Sequence, residues 1–477
     1  MISKKGYTLL VILVLLISTS LAASSALLKS VTVDEFALLP AGLRIIENQT
    51  FDVDSGVPPL PKVLIALPAY FNGIQTPQLE NGTEIPSVWE LGKQFARQYH
   101  ADYHAIYLQA RSISIFALFA TLLLSSFLAK NLYGNTGGIL ALLFASFSPT
   151  LLAHGRLATT DIYLTAAVVL SLFVFDIFLR KQSPLNSILL GLTIGLAILC
   201  KFTGLLLILF LPIAGVIIFF MQKRGNSIND PEITISKSTL IYGFISLVTV
   251  LLAINAGYIF QQTLRPLSSF LFQSDLLQLL KNLTPGWLPM PVPAQFILGI
   301  DTQLAETRQV IYETYLLGKF SPRGFWHYYI ICLLVKLPIP FLLCMTLATI
   351  LKPKITQREI PLPCWLSGLP LLHSSPLPGI KTSESAICSF SFRLRRYGSV
   401  GLNIFFPERF RKNLMSLCFS RQLLPFAVPL CLRQPSISGP ITFLISTCLQ
   451  AGLKTAINTC WTRILTGGKI LLDLKHS

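Results

Sequence analysis

Charge is the scarcest commodity in this chain. Only 12% of its 477 residues are Asp, Glu, Lys or Arg, and just 21 are acidic. A soluble domain of this size carries about 25% charged residues, so a water-exposed globule is excluded. Internal repeats are also missing, which argues against a secondary transporter, whose halves normally repeat around broken helices near the bilayer midplane. The nine cysteines show no C-x-x-C spacing, so a thiolate metal site has no support. No dense carboxylate cage suggests a tightly held divalent ion.

Long apolar runs fill the space that charge leaves. Mean hydropathy is +0.63 with 52% hydrophobic residues, and several runs reach the ~20 residues that cross a bilayer. About eight spans are expected, near residues 7–28, 107–129, 137–153, 162–179, 186–200, 204–221, 238–259 and 327–351. The first is too long for a signal-peptide core and reads as a retained helix. By the positive-inside rule, Lys4-Lys5, Lys130, Arg180-Lys181, Lys223-Arg224 and Lys352/Lys354 mark cytoplasmic loops. The opposite face receives two long loops, about 30–106 and 260–326, together with the His154–Asp161 segment and the Cys200-Lys201 junction.

The few polar residues at span ends thereby collect on one side. Asp34, Glu35, Arg156, Asp161 and Lys201 share the non-cytoplasmic face, although hydropathy and basic loops alone set the topology. Ionisable groups at the edge of hydrocarbon are costly and tend to serve substrates, ions or pairing. Each also has a plainer reading: Asp34-Glu35 as the start of a solvated loop, Thr159-Thr160-Asp161 as a helix cap, Lys201 as a snorkelling side chain. Trp89–Arg97 has helical periodicity, either an interfacial helix or an ordinary loop helix. The sequons at Asn48 and Asn81 carry no assigned role.

The succession Asp34-Glu35, Val57-Pro-Pro-Leu-Pro-Lys62, Ala110-Arg111, His154-Gly-Arg-Leu-Ala-Thr-Thr-Asp161, Gly191-Leu-Thr-Ile-Gly-Leu-Ala-Ile-Leu-Cys-Lys201 and Tyr315-Leu-Leu-Gly318 resembles the glycosyltransferase 39 group. Gly324-Phe-Trp-His-Tyr-Tyr329 and Lys336-Leu-Pro-Ile-Pro340 extend the resemblance to about residue 358. That group contains protein O-mannosyltransferases and aminoarabinose transferases. The resemblance implies an all-α polytopic membrane protein with the GT-C fold and long non-cytoplasmic loops. It implies transfer of a sugar from a polyprenyl- or dolichyl-phosphate carrier to an acceptor hydroxyl on protein, lipid or glycan, at the outer face of a plasma membrane or in the endoplasmic reticulum. Membrane lipid is the surrounding partner, and nucleic acid is not expected.

The chemistry of such a transfer assigns roles. A phosphate leaving group departs as an anion, so cations matter more than a general acid, and Arg111, Arg156 and Lys201 are the candidates. The attacking hydroxyl needs a base, expected to be Asp34, with Glu35 positioning a partner or assisting at a metal and Asp161 orienting acceptor or metal. A single displacement inverts the anomeric centre and needs no carboxylate nucleophile. A divalent cation is left open. Val57 stands where the family commonly has His or another polar residue, and Cys200 where a Thr often precedes the Lys.

The chain changes character near residue 360. From Pro361 to Ser477 there are 13 Lys/Arg against 3 Asp/Glu, and six of the nine cysteines. Clean apolar spans stop, and no helical or alternating period replaces them. Lys454 through Ile470 can be encoded so that reading two bases further on gives Asn-Gly-Tyr-Lys-Tyr-Leu-Leu-Asp-Ser-Asn-Leu-Asp-Trp-Gly-Gln-Asp, which is similar to a motif of one branch of the same family. The expected organisation is a membrane core over 1–358 and, over 359–477, a tail translated out of frame with no selected fold. On that reading the core lacks the family's last helices and this polypeptide is inactive. A non-catalytic membrane protein or pseudogene product is the alternative, and a transporter a weaker one.

Overall fold

The computed structural model describes residues 3–77, 87–224, 237–309, 314–321 and 324–350; the tail 359–477 lies outside them. The helices are α1 (Lys4–Leu27), α2 (Val33–Asn48), α3 (Pro59–Phe71), α4 (Val88–Gln98), α5 (Tyr103–Ser146), α6 (Pro149–Gly155), α7 (Thr160–Arg180), α8 (Pro184–Cys200), α9 (Leu206–Arg224), α10 (Lys237–Gly257), α11 (Asp275–Leu283), α12 (Ala294–Gln309), α13 (Tyr328–Lys336) and α14 (Ile339–Ile350). A single hairpin, β1 (Thr314–Leu316) with β2 (Lys319–Ser321), is the only sheet among the described residues. The chain is therefore an all-α membrane protein.

Among the described residues, five stretches are long and apolar enough to cross a bilayer: Lys5–Leu27, Tyr103–Ser146, Thr160–Arg180, Phe202–Phe220 and Ser238–Gly257. Pro184–Cys200 is a shorter apolar helix. The 44 residues of α5 contain a break at Gly134, whose φ of 72° and ψ of −174° leave helical space. Ser126 Oγ then donates to Gly138 O at 3.1 Å, which places the two arms against one another. Two expected spans, 107–129 and the start of 137–153, are thus a tight helical hairpin. Glycine adopts this backbone conformation at little steric cost.

Two expected spans are interrupted, and proline explains both. The 137–153 run stops at Phe147-Ser148 and restarts as α6 from Pro149, while the 327–351 run breaks at Leu337-Pro338 between α13 and α14. A proline has no N–H to donate and drives the residue before it out of helical space. The long loop 30–106 also differs from an unstructured connection, since it folds into α2, α3 and α4. Helix α4 starts at Ser87, whose side chain accepts from the Glu90 N–H, and buries Leu91 and Phe95 one turn apart. It packs on α2, and Trp89 remains 48% exposed.

The bundle core runs continuously through α1, α5, α7, α8 and α10. Tyr7 Oη meets Ser126 Oγ at 2.8 Å, joining α1 to α5. Helices α8 and α10 approach through small residues: a Cβ on Gly191 would lie 2.3 Å from Ser246 O, and one on Gly195 would lie 2.5 Å from Ala253 Cβ. Without a hydrophobic drive between helices in lipid, such close backbone contact supplies much of the packing energy. It also fixes the end of α8, where Lys201 emerges.

The described residues divide into two units, those up to 309 together with those from 329 in one, and those between 314 and 328 in the other. The described part of the second includes the β-hairpin. Its two-residue loop, Leu317-Gly318, has both φ values positive, 47° and 88°, the twist that suits a tight hairpin. Tyr315 and Phe320 pair across the strands with ring centroids 5.0 Å apart.

Candidate active site

Thr32 caps α2 in a reciprocal arrangement, its backbone and hydroxyl both donating to Glu35 Oε2 at 2.9 Å. This capping box fixes where the neighbouring carboxylates point. Successive helix positions diverge by about 100°, so Glu35 turns fully inward with 0% exposure while Asp34 stays exposed on the first turn. The sequence pairs them; the helix separates them.

Glu35 is saturated. Its Oε1 accepts from Arg111 Nε at 2.7 Å and from the Ala158 N–H at 2.9 Å, and its Oε2 from Arg111 Nη2 at 2.8 Å as well as from Thr32. Burial pushes this carboxyl up, but the Arg111 guanidinium and the two backbone N–H groups outweigh it and hold the group below the usual carboxylate range. Arg111 is equally committed: Nη1 donates to Ala26 O and Lys29 O, and Nη2 also to Ser30 O. All five guanidinium N–H bonds are used inside the protein, at 0% exposure. In this arrangement no N–H of Arg111 is left over for a phosphate. Both Glu35 oxygens likewise accept from protein donors.

A second ionic cluster gathers where α7 and α8 meet. Asp161, in the first turn of α7, accepts from Lys201 Nζ at 2.9 Å, and its other oxygen lies 3.3 Å from His154 Nδ1. Lys201 is the last non-helical residue before the 3₁₀ turn Phe202–Leu205, so its side chain leaves α8 toward the α7 N-terminus. Neither partner is sealed: side-chain exposure is 18% for Lys201 and 12% for Asp161. Arg156, between α6 and α7, is half-buried, and its Nη1 donates to Ser25 Oγ near the end of α1.

The bond from Ala158 to Glu35 ties the α6–α7 loop to the start of α2. Through it Glu35, Arg111, Arg156, Asp161 and Lys201 belong to one connected end of the bundle, and Asp34 stands on the same first turn. His154 belongs to the His154–Asp161 motif, but sequence alone assigns it no role. Its helical spacing from Asp161 is irregular, and only the turn at Arg156–Thr159 brings the two together.

A third ionic group forms around Lys62. Lys62, 2% exposed, donates to Asp54 O at 2.8 Å, and its ammonium is 3.9 Å from the Asp54 carboxylate. Burial pushes Lys62 down and Asp54 up, and the negative charges of Glu306 and Asp34 add to the rise at Asp54. Asp34 thus shares an electrostatic neighbourhood with Asp54, Glu306 and Lys62. Among the described residues, no three His, Cys, Asp or Glu side chains are arranged to hold a metal ion.

Known proteins resemble this chain at two levels, sequence and fold. Residues 106–254 match the family model described as dolichyl-phosphate-mannose-protein mannosyltransferase. Among solved structures, ArnT from Cupriavidus metallidurans bound to undecaprenyl phosphate aligns with a TM-score of 0.54 at 12% identity, covering 97% of this chain and 73% of that one. The archaeal oligosaccharyltransferase AglB from Archaeoglobus fulgidus, in complex with an inhibitory peptide and a dolichol-phosphate, aligns at 0.50 and 13% identity, over 88% of this chain and 53% of that one. No curated protein sequence matches. The fold is that of the GT-C membrane glycosyltransferases. Within the chain, residues 106–254 carry the sequence similarity to the mannosyltransferase family model.

Proposed function

We propose that residues 1–358 form the core of a glycosyltransferase that moves a sugar from a polyprenyl-phosphate carrier to an acceptor hydroxyl on the non-cytoplasmic face. The observation that carries this reading is the Glu35–Ala158 bond, which joins the helix bearing Asp34 to the loop that leads into Asp161. Asp34, exposed on the first turn of α2, takes the hydroxyl proton. The acceptor oxygen bonds to the anomeric carbon as the bond from that carbon to the phosphate oxygen breaks, and the configuration inverts. The polyprenyl phosphate leaves as an anion.

Lys201 and Arg156 are the cations for that anion. Lys201 reaches it from its pairing with Asp161, and the ion pair aims the ammonium. Glu35 and Arg111 act as positioning residues: they fix the α2 start against the α6–α7 loop and touch no substrate. No step here is routed through a metal.

The out-of-frame tail makes the 477-residue product inactive, while its frame-restored form transfers sugar. The test is an in vitro assay of both forms with polyprenyl-phosphate-linked mannose and aminoarabinose as donors and peptide and lipid acceptors. Full activity of the 477-residue product overturns the reading of the tail. Absence of transfer by the frame-restored protein with every donor favours a non-catalytic membrane protein.

A further inference from the structure

Helix α11 is amphipathic, yet it buries none of its residues. Leu276, Leu279, Leu280 and Leu283 recur at helical spacing with exposures of 49%, 55%, 47% and 72%, and Leu271 and Trp287 beside them reach 87% and 75%. The other side of the helix faces the protein: Leu277 packs on the core, and Lys281 Nζ donates to Phe270 O at 2.6 Å.

The stripe is rigidly presented. Asp301 of α12, 2% exposed, accepts from the Gln273 N–H at 2.7 Å and the Ser274 N–H at 2.9 Å, just ahead of the first turn. Exposed apolar residues also lie on the preceding membrane-spanning helix and the chain that leaves it: α10 exposes Leu240, Phe244 and Leu252, and Ile259 and Phe260 just past its end are likewise exposed.

We infer that α11 lies in the interface of the non-cytoplasmic leaflet, its leucine stripe sunk among lipid acyl chains and Trp287 at headgroup level. An amphipathic helix with an open apolar face and a tryptophan at its edge has the composition for that position. Asp301 and Lys281 set the helix's tilt, so the membrane surface and the loop 260–309 are held in register. The inference is independent of the catalytic reading.

Spin labels test it without any assay of transfer. In the full-length chain with its native cysteines replaced by serine, single substitutions Leu276→Cys, Leu280→Cys, Leu283→Cys, Gln278→Cys and Asn282→Cys are labelled and placed in phosphatidylcholine/phosphatidylglycerol nanodiscs. Labels at the three leucine positions collide several-fold more with oxygen than with a water-soluble nickel chelate, and those at Gln278 and Asn282 show the reverse. Lipids with nickel-bearing headgroups shorten relaxation along the stripe. Equal access of the chelate to all five positions places the helix in water and overturns the inference. Stripe labels protected from oxygen and chelate alike, with no response to headgroup nickel, mean a protein covers the face and overturn it equally.

Discussion

Two ion pairs sit at the same end of this bundle and are built differently. Glu35–Arg111 has 0% exposure on both sides, bidentate geometry and every hydrogen bond satisfied by protein. Asp161–Lys201 keeps solvent contact on both partners and shares its carboxylate with a histidine. A saturated, sealed pair holds a structure in place, because nothing can approach it without breaking it. An open, unsaturated pair can meet a substrate. Residue type does not separate the two cases; burial and the count of filled donors do.

The largest expected effect breaks the sealed pair. Arg111→Met leaves the Glu35 charge buried without its cation, which costs about 3–5 kcal/mol. It also frees three carbonyls, those of Ala26, Lys29 and Ser30. Thermal unfolding followed by fluorescence-detected size exclusion should show a sharp loss of folded protein. A variant as stable as the parent would mean the pair is not a structural clamp.

Asp34→Asn addresses the neighbouring carboxylate and should behave oppositely. Stability should hold within about 0.5 kcal/mol, as for an exposed position away from packing. Transfer by the frame-restored protein should fall by about 10²–10⁴-fold, the range of a lost general base. Two adjacent residues, one governing stability and the other rate, would be the clearest expression of the contrast. Unchanged transfer excludes Asp34 as the base.

The sequence made the class and the gathering of charges legible, because span lengths and basic loops depend only on composition. Asp161 and Lys201 are separated by one helical hairpin, so a correct topology places them at one end before any packing is known. What stayed hidden was how differently Asp34 and Glu35 are buried, since a one-residue step along a helix decides which points inward. The commitment of Arg111 was hidden too: its partners are backbone carbonyls, which no side-chain pattern records. The breaks at Pro149 and Pro338 were readable in principle, but hydropathy averages across a single proline. Lys62 and Asp54 come together through a loop whose Asp54 has a φ of 57°, a conformation no simple periodicity reveals.

Lys201→Met should act on the open pair with a smaller structural effect. Its partial exposure limits the stability loss to about 1 kcal/mol, and His154 stays beside Asp161. Donor binding should weaken more than stability does, seen as a raised KM for the polyprenyl-phosphate sugar. Equal changes in stability and KM would assign Lys201 to the scaffold alongside Arg111.

Acid titration gives the smallest and most selective contrast. The folded state depresses the Glu35 pKa from 4.5, so its contribution is fully present above that value and is lost as pH falls through the folded pKa. Asp52, depressed beside Arg44 after opposing burial, adds a loss of the same sign, while Asp54, raised by burial first, adds one of opposite sign. The difference between parent and Glu35→Gln removes both of those contributions. Melting temperatures of the two proteins should therefore keep a constant gap from pH 7 to about pH 5 and converge below pH 4.5, as the parent's Glu35 takes up the proton that Gln never carries. A gap that stays constant to pH 3 would show that Glu35 draws no stability from its charge, and the distinction between sealed and open pairs would then rest on packing alone.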